Sequence, residues 1–440
     1  MSRCEAGEEI EWLILDFSDW FYNIPLHPLE RKHFTWSYRG RWVAFLTQAQ
    51  GSKNAPLVCG RVAAMIARIT QAVFSEVQYR LQLYVDDPCI CLRGDRRLRD
   101  RHMAMTICLW SSLGIRLAYK KAARGNRIVW IGAELQARQQ GTPRAHLIAT
   151  AKQEIVDKLR ATTEEHARCN MVSKKALLSY VGKLNHVAGI VELIRPFMSD
   201  LYGVIHTTVG SCAPKNCYWT KQWRHVTDWM LAFLAEEEFS IRRCYRVDTY
   251  LGKGMQVAIV TDASPWGIGG YITINNTVMA YYGDSIKAED ENNLHICAGE
   301  SSAQQVVEAL AILVALRMWR KYWKRPGVSL RIRSDNIGIL TLLIKLRPKH
   351  RSHGLSVIAR ELALEFGTAT YKPRLFQHIP GLANDWADIL SRLSQPNKML
   401  KIPVPLLKSR RDAAPKRDSP STRPPRPRRR AASRVVHETA

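Results

Sequence analysis

The tetrapeptide Tyr84-Val85-Asp86-Asp87 constrains this chain more than any other stretch. Leu81 and Leu83 precede it and Cys89, Ile90, Cys91 and Leu92 follow. The segment therefore reads as a β-hairpin with two adjacent carboxylates at its turn. Two aspartates in apolar surroundings are costly unless a cation neutralises them. Alone the motif is weak, but its neighbours in the sequence add to it. Upstream, the apolar strand Leu13-Ile14-Leu15 closes on Asp16, and an aromatic, Phe21, lies five residues further on. Gln50-Gly51 leads through Ala55-Pro56 into an apolar helical pattern over 57–73. After the hairpin come Leu113-Gly114-Ile115, Tyr119-Lys120-Lys121 and Ile128-Val129-Trp130-Ile131-Gly132.

A second series of acids occupies the C-terminal half. Residues 257–261 read as a buried strand ending on Asp262, with Gly267, Gly269 and Gly270 punctuating a hairpin. Residues 306–316 form a strongly apolar helical run with Glu308 in its first turns. Glu300 is the rival acid, and the long apolar face after Glu308 favours Glu308. Leu330 to Ser334 is another strand, ending on Asp335, and Asn384 opens a helix carrying Asp385 and Asp388. Asp385 reads as an ordinary first-turn acid that complements the helix dipole.

The first order of motifs, over about 10–135, resembles the palm of reverse transcriptases from retroviruses and LTR or DIRS-type retrotransposons. The second, D…E…D…D on strand, helix, strand and helix over about 255–395, resembles the ribonuclease H domain fused to retroelement polymerases. These resemblances imply an α/β chain: an α+β palm over 1–148, a helical thumb over 149–235, a linker over 236–254, and a ribonuclease H-like domain with a mixed sheet over 255–398. They imply templated DNA synthesis and cleavage of RNA in RNA–DNA hybrids. The partners would be RNA, DNA, their hybrid and deoxynucleoside triphosphates.

Both reactions would use two Mg²⁺ ions, or Mn²⁺, per site, because such ions prefer hard oxygen ligands. The resemblance implies Asp16 and Asp86 as metal ligands, with Asp87 assisting as a secondary catalytic carboxylate. Phe21 would be the steric gate against a 2′-hydroxyl, and Gln50 and Gly51 would line the incoming nucleotide. Lys121 would donate a proton to pyrophosphate, with Lys120 the alternative. Asp262, Glu308, Asp335 and Asp388 would hold the second pair of ions.

The sequence departs from the pattern in three places. Only fifteen residues precede Asp16, so the fingers are expected to be largely missing and primer extension weak. Pro88 stands where the family more often has an apolar β-former, and proline donates no ladder hydrogen bond. The loop from Pro380 to Asn384 is short and lacks histidine, while His378 reads as a strand residue. A different class of reading therefore stays open: a truncated, decayed or host-retained fragment that binds nucleic acid without polymerase turnover, with ribonuclease H activity only or with none.

The 440 residues, 46% hydrophobic, suffice for two or three domains. No uninterrupted apolar run of membrane-spanning length is present, and the N-terminus lacks a signal peptide's apolar segment. With ten cysteines and no secretory context, reduced thiols and an intracellular location, nucleus or cytoplasm, are expected. Between the two acid series, Leu177, Leu178, Val181, Leu184 and Val187 form a helical stripe over 174–190. The net charge is +26, and residues 401–440 hold twelve Lys or Arg against three acids. Residues 399–440 read as a basic disordered tail, and the basic body suits phosphate neutralisation.

Overall fold

The computed structural model describes residues 8–142, 145–206, 213–235, 241–246, 254–325, 327–348, 352–367, 375–417, 420, 421 and 424. The chain is a mixed α/β protein of two compact units. One comprises Met1–Ala149 with Arg246–Leu251, the other Thr150–Tyr245 with Gly252–Ala440.

The first unit is built on a four-stranded sheet, with β1 (Glu9–Ile14), β4 (Tyr79–Tyr84), β5 (Asp87–Gly94) and β6 (Ala123–Gly125) in the order β4-β5-β1-β6. Both β4 and β1 run antiparallel to β5. The small hairpin of β2 (Thr35–Tyr38) and β3 (Arg41–Ala44) stands apart from that sheet. Helices α1 (Ala55–Val73) and α2 (Arg96–Ser112) pack on the sheet. Their inward residues Cys59, Ala63, Ile66 and Trp110 meet Leu13, Tyr79, Ile90 and Leu92. Asp95 caps α2 by accepting from the Leu98 amide, which satisfies one of the orphan donors of the first turn. β7 (Arg127–Trp130) and β8 (Ala133–Arg138) form a second hairpin, followed by β9 (His146–Ala151).

By length and composition α1, at 19 residues, could cross a membrane. It contains Arg61 and Arg68, however, and buries Ala55, Cys59, Ala63, Ile66 and Thr70 along one face. That is the one-faced burial of a helix packed on a sheet.

The second unit begins with α3 (Gln153–Arg168), β10 (Met171–Ser173), α4 (Lys174–Ile190), α5 (Arg195–His206), β11 (Cys217–Trp219), α6 (Arg224–Ala235) and β12 (Arg243–Arg246). Helix α4 covers the residues expected of it and buries Leu177, Val181, Leu184 and Val187. Leu178 is the exception at 47% exposed, because one residue past Leu177 turns about 100° off the buried stripe. Within the segment read as a linker, 241–246 are described; Ile241 enters the core and β12 is a strand.

A six-stranded sheet follows, with β13 (Met255–Ser264), β14 (Gly267–Ile274), β15 (Thr277–Ser285), β16 (Val328–Ser334), β17 (Leu375–His378) and β18 (Arg410–Arg411) in the order β17-β16-β13-β14-β15-β18. It is mixed: β13–β14–β15 are antiparallel, while β16, β17 and β18 pair in parallel. The helices are α7 (Ala288–Leu294), α8 (Gln304–Met318), α9 (Arg320–Trp323), α10 (Ile337–Lys345), α11 (His353–Gly367), α12 (Asp385–Ser391) and α13 (Val404–Leu407). Every residue of α8 from Val306 to Leu316 is buried, as expected of a helix that is apolar all round. One continuous apolar core joins α3 to α6 with this sheet and its helices.

The expectation of a disordered segment from 399 onward is corrected for its first part. Leu406 is fully buried, and β18 adds a strand beside β15. Asp412 accepts from the Trp319 indole at 3.0 Å, and Arg417 bridges Asp284 and Asp290. Charged residues and prolines dominate this stretch, so composition alone pointed to disorder. Three apolar side chains (Ile402, Leu406 and Ala414) nevertheless reach the core clusters. The Arg-rich stretch from 425 lies outside the described residues.

Candidate active sites

In the first unit the backbone around Asp16 is held from both sides. The Phe17 amide donates to the Asp86 carbonyl at 3.0 Å, and the Ala118 amide donates to the Asp16 carbonyl at 2.8 Å. Asp16, at 9% exposure, is thereby set beside the turn of the β4–β5 hairpin. Tyr84 pairs with Asp87, which leaves Val85 and Asp86 as the two turn residues. Val85 has φ +56°, a conformation that a β-branched residue adopts only under strain. Such strain persists where the surrounding structure enforces it. Pro88 is accommodated as the second residue of β5: it lies opposite Leu83, and its carbonyl accepts from the Leu15 amide at 3.3 Å.

Burial raises the Asp87 carboxyl above the ordinary carboxylate range, and the neighbouring charges of Asp86 and Asp16 raise it further. The three acids thus share one electrostatic neighbourhood. A cation is already present there. The Lys121 ammonium lies 2.7 Å from Asp16 Oδ2, and the hydrogen bond to Asp16 holds the ammonium above its ordinary value. Lys120 is exposed.

Phe21 is half-buried in the turn Trp20–Asn23 and packs against the core of this unit. Gln50 and Gly51 precede α1, and both are exposed. Gly51 has φ +89° with open space where a Cβ would sit, so backbone conformation rather than crowding calls for glycine there. Trp130 stands in a motif named above but carries no role there; its indole donates to the Asp87 carbonyl at 3.1 Å.

The second unit assembles its acids more tightly. Asp262 lies inside β13, which continues to Ser264 rather than ending on the acid. Glu308 comes from the second turn of α8, and Asp335 directly follows β16. One ligand oxygen from each lies within 4.8 Å of the others, the only such group of three among the described residues. Glu300 is exposed outside this cluster, and its carboxylate accepts from the Ser302 hydroxyl. Asp388, on α12, is half-buried; its carboxylate accepts from Arg392 Nε at 2.7 Å and stands outside the tight group. Its charge still acts on Asp262. Asp385 is exposed.

Helix α12 reaches Asp262 because of glycines. A Cβ on Gly269 would sit 2.5 Å from the Ser391 nitrogen, and one on Gly283 would sit 2.8 Å from the Leu390 carbonyl. Gly267 and Gly269 therefore lie within β14 to admit a helix backbone, not to punctuate a turn. At Gly270 the crowding comes from the neighbouring strand, where a Cβ would sit 2.6 Å from the Val260 carbonyl.

Three polar residues that the sequence reading missed complete the site. The Ser391 hydroxyl donates to Asp262 Oδ2 at 3.1 Å, Asn384 donates to the Thr261 carbonyl at 3.2 Å, and Gln304 donates to Glu308 Oε1 at 3.1 Å. Their signal lay in position: Gln304 is one turn before Glu308, and Ser391 is three residues after Asp388.

Burial, then repulsion from Glu308, Asp335 and Asp388, pushes the Asp262 carboxyl up to about 8. Burial pushes Glu308 up to about 7, opposed by the Gln304 hydrogen bond and reinforced by Asp335. Asp335 Oδ1 is buried with no hydrogen-bond partner. Two buried carboxylates and a half-buried one converge, with an orphaned oxygen and, among the described residues, no Lys or Arg ion-paired to them, and this fits a divalent cation with hard oxygen ligands.

No family model matches the chain. A stretch is 30% identical over 146 residues to the Gag-Pro-Pol polyprotein of Squirrel monkey retrovirus, spanning 31% of this chain and 7% of that polyprotein. Among solved structures, the foamy viral protease-reverse transcriptase dRH in complex with double-stranded DNA aligns with TM-score 0.41 and 16% identity, over 84% of this chain and 56% of that one. The foamy viral protease-reverse transcriptase in complex with RNA/DNA hybrid gives 0.39 and 15%, over 89% of this chain and 46% of that one. Structural likeness of that size assigns no activity. The sequence match makes part of this chain similar to a retroelement polyprotein.

Proposed function

We propose that this protein is a retroelement reverse transcriptase–ribonuclease H of the LTR or DIRS type. The second unit cleaves RNA in RNA–DNA hybrids, and the first carries a palm for templated DNA synthesis. The observation that carries this reading is the convergence of Asp262, Glu308 and Asp335 from two strands of one mixed sheet and a helix packed on it. Asp262, Glu308, Asp335 and Asp388 would hold two Mg²⁺ or Mn²⁺ ions, which supply an activated water and charge stabilisation at the phosphodiester.

The chain's own residues prepare that site. Ser391 and Asn384 orient the Asp262 carboxylate, Gln304 orients Glu308, and Arg392 holds Asp388 at the rim. Outer partners of this kind typically change metal affinity or activity by about 10–100-fold when removed. In the first unit Asp16, Asp86 and Asp87 would be the catalytic carboxylates, with Phe21, Gln50 and Gly51 at the nucleotide.

Hybrid cleavage by the purified full chain in Mn²⁺ or Mg²⁺, stopped by EDTA, is the test. Undiminished cutting by Asp262→Asn would reject the assignment. A second reading rests on Lys121, whose ammonium engages the Asp16 carboxylate: the first unit binds nucleic acid without polymerising. Primer extension that depends on Asp86 would reject that second reading.

A further inference from the structure

The β2–β3 hairpin has no role in the chemistry above. Residues of both strands are exposed, Val43 alone being half-buried. Trp36 is 40% exposed, Tyr38 58% and Trp42 80%. An isolated two-stranded hairpin is marginally stable in water, and three large aromatics on eight strand residues exceed the scattered apolar exposure of an ordinary surface.

Register sorts the side chains. Trp36 lies opposite Val43 and Tyr38 opposite Arg41, so these share one face. Trp42 lies opposite Ser37 on the other face. The Arg39 guanidinium sits over the Tyr38 ring, 5.3 Å from its centroid. From Leu29 to Leu46 the chain carries Arg31, Lys32, Arg39 and Arg41 against the single acid Glu30.

Exposed Trp, Tyr and Arg also suit a protein interface, but the excess of four cations over one acid and the place of the hairpin beside the proposed nucleotide position favour a polyanion. Aromatic rings interleaved with guanidinium groups match a ligand that offers π faces and phosphates in alternation, which is a single-stranded nucleic acid. The root of the hairpin adds a second argument. The Leu26 amide donates to the Leu46 carbonyl and the Gln48 amide donates to the Ile24 carbonyl, both at 2.9 Å. Pro25 bridges to Thr47. The hairpin segment therefore starts shortly after Phe21 and ends shortly before Gln50, the two sides of the proposed nucleotide position.

We propose that the β2–β3 hairpin binds an unpaired nucleic-acid strand, stacking bases on Trp36, Tyr38 and Trp42 while Arg39 and Arg41 engage its phosphates. This rests on the nucleic-acid reading above and names a surface that reading does not use.

The test compares the full chain's affinity in EDTA for a blunt RNA–DNA hybrid and for the same hybrid carrying a single-stranded dT overhang. The overhang should tighten binding about ten-fold, the effect of roughly one stacked base. In the double variant Trp36→Ala/Trp42→Ala the ratio of the two affinities should fall to near one, and Trp42→Phe alone should keep most of the gain. Arg39→Gln with Arg41→Gln should lower the salt slope for the overhang by about 0.7 for each phosphate no longer neutralised. An overhang gain that survives the double variant overturns the proposal. So does a dimer in sedimentation that the double variant dissociates while the overhang gain persists, because the hairpin then joins two copies of the chain. If the unmodified chain binds neither hybrid and cleaves none, the nucleic-acid reading itself has failed rather than the hairpin.

Discussion

The two carboxylate sites solve the same electrostatic problem in opposite ways. In the first unit Asp16 already has a cation, because Lys121 reaches it and remains largely in solvent. In the second unit Asp262 and Glu308 are buried, Asp335 has an orphaned oxygen, and no lysine or arginine ion-pairs with any of the three among the described residues. Repulsion and burial leave protons as the only intrinsic means of neutralisation there. A site with its own ammonium is folded and quiet without metal. A site without one stores the repulsion until protons or metal arrive.

The largest effect should come from cutting into the second cluster. Asp262→Asn should lower hybrid cleavage by more than about 100-fold, beyond the range of an outer-sphere change. Ser391→Ala should cost about 10–100-fold at saturating metal. Similar losses in the two variants would mean that Asp262 is no more than a structural acid. Quantifying RNA fragments over a Mn²⁺ titration separates the cases.

Next comes pH. Folded Glu308 and Asp262 bind protons more tightly than they would unfolded, so the unfolded state holds fewer protons at neutral pH. Their contribution to stability is complete below the unfolded carboxylate range, near pH 4, and is lost as pH rises through about 7 and 8. Metal-free protein should therefore lose several kcal/mol in the second unit between about pH 5 and pH 8. Divalent metal should reverse the loss, since a ligand that binds only the native state stabilises it. Two-transition thermal melts at several pH values, with and without Mn²⁺, would show it. A second-unit transition that rises with pH in EDTA would break the contrast between the sites.

The C-terminal segment offers a test of similar size. Arg417 is buried between Asp284 and Asp290; Arg417→Ala leaves the buried Asp290 without its cation, while Asp284 keeps Lys287, and should cost about 3 kcal/mol. Removing residues after 424 should leave the melting transition in place. A melt unchanged by Arg417→Ala would show that the segment rests on the unit without holding it.

The smallest effects belong to the first site. Val85→Gly relieves the positive φ at the hairpin turn and should change stability by about 1 kcal/mol or less in the stabilising direction, after glycine's own entropic cost. Lys121→Ala should leave the fold intact and make the melting of the first unit more responsive to Mn²⁺, since Asp16 then lacks its ammonium. No change in that response would mean that the pair does not compete with metal, and the difference between the sites would narrow.

Much of the fold was legible because it is written locally. The carboxylates that follow strands at Asp16 and Asp335, and the strand that carries Asp262, follow from short apolar runs, and α4 follows from a stripe of period 3.6. The apolar run after Glu308 marked a buried helix. The misreadings have physical causes as well. The glycines of β14 looked like turn signals because their purpose at Gly267 and Gly269, room for the backbone of α12, involves residues about 120 positions away. The segment 399–417 looked disordered because charge and proline dominate it, while Leu406 and Arg417 find their places only against β15 and α7.

By itself the sequence determined which carboxylates exist, in what order, and on which kinds of element, because hydrophobic period and strand-ending acids are properties of neighbouring residues. Tertiary structure alone decided which acids share a charge field, that Asp388 stands apart from the trio, and that Lys121 neutralises Asp16. Coulomb energy and desolvation depend on distance and burial in space, and neither quantity is set by separation along the chain.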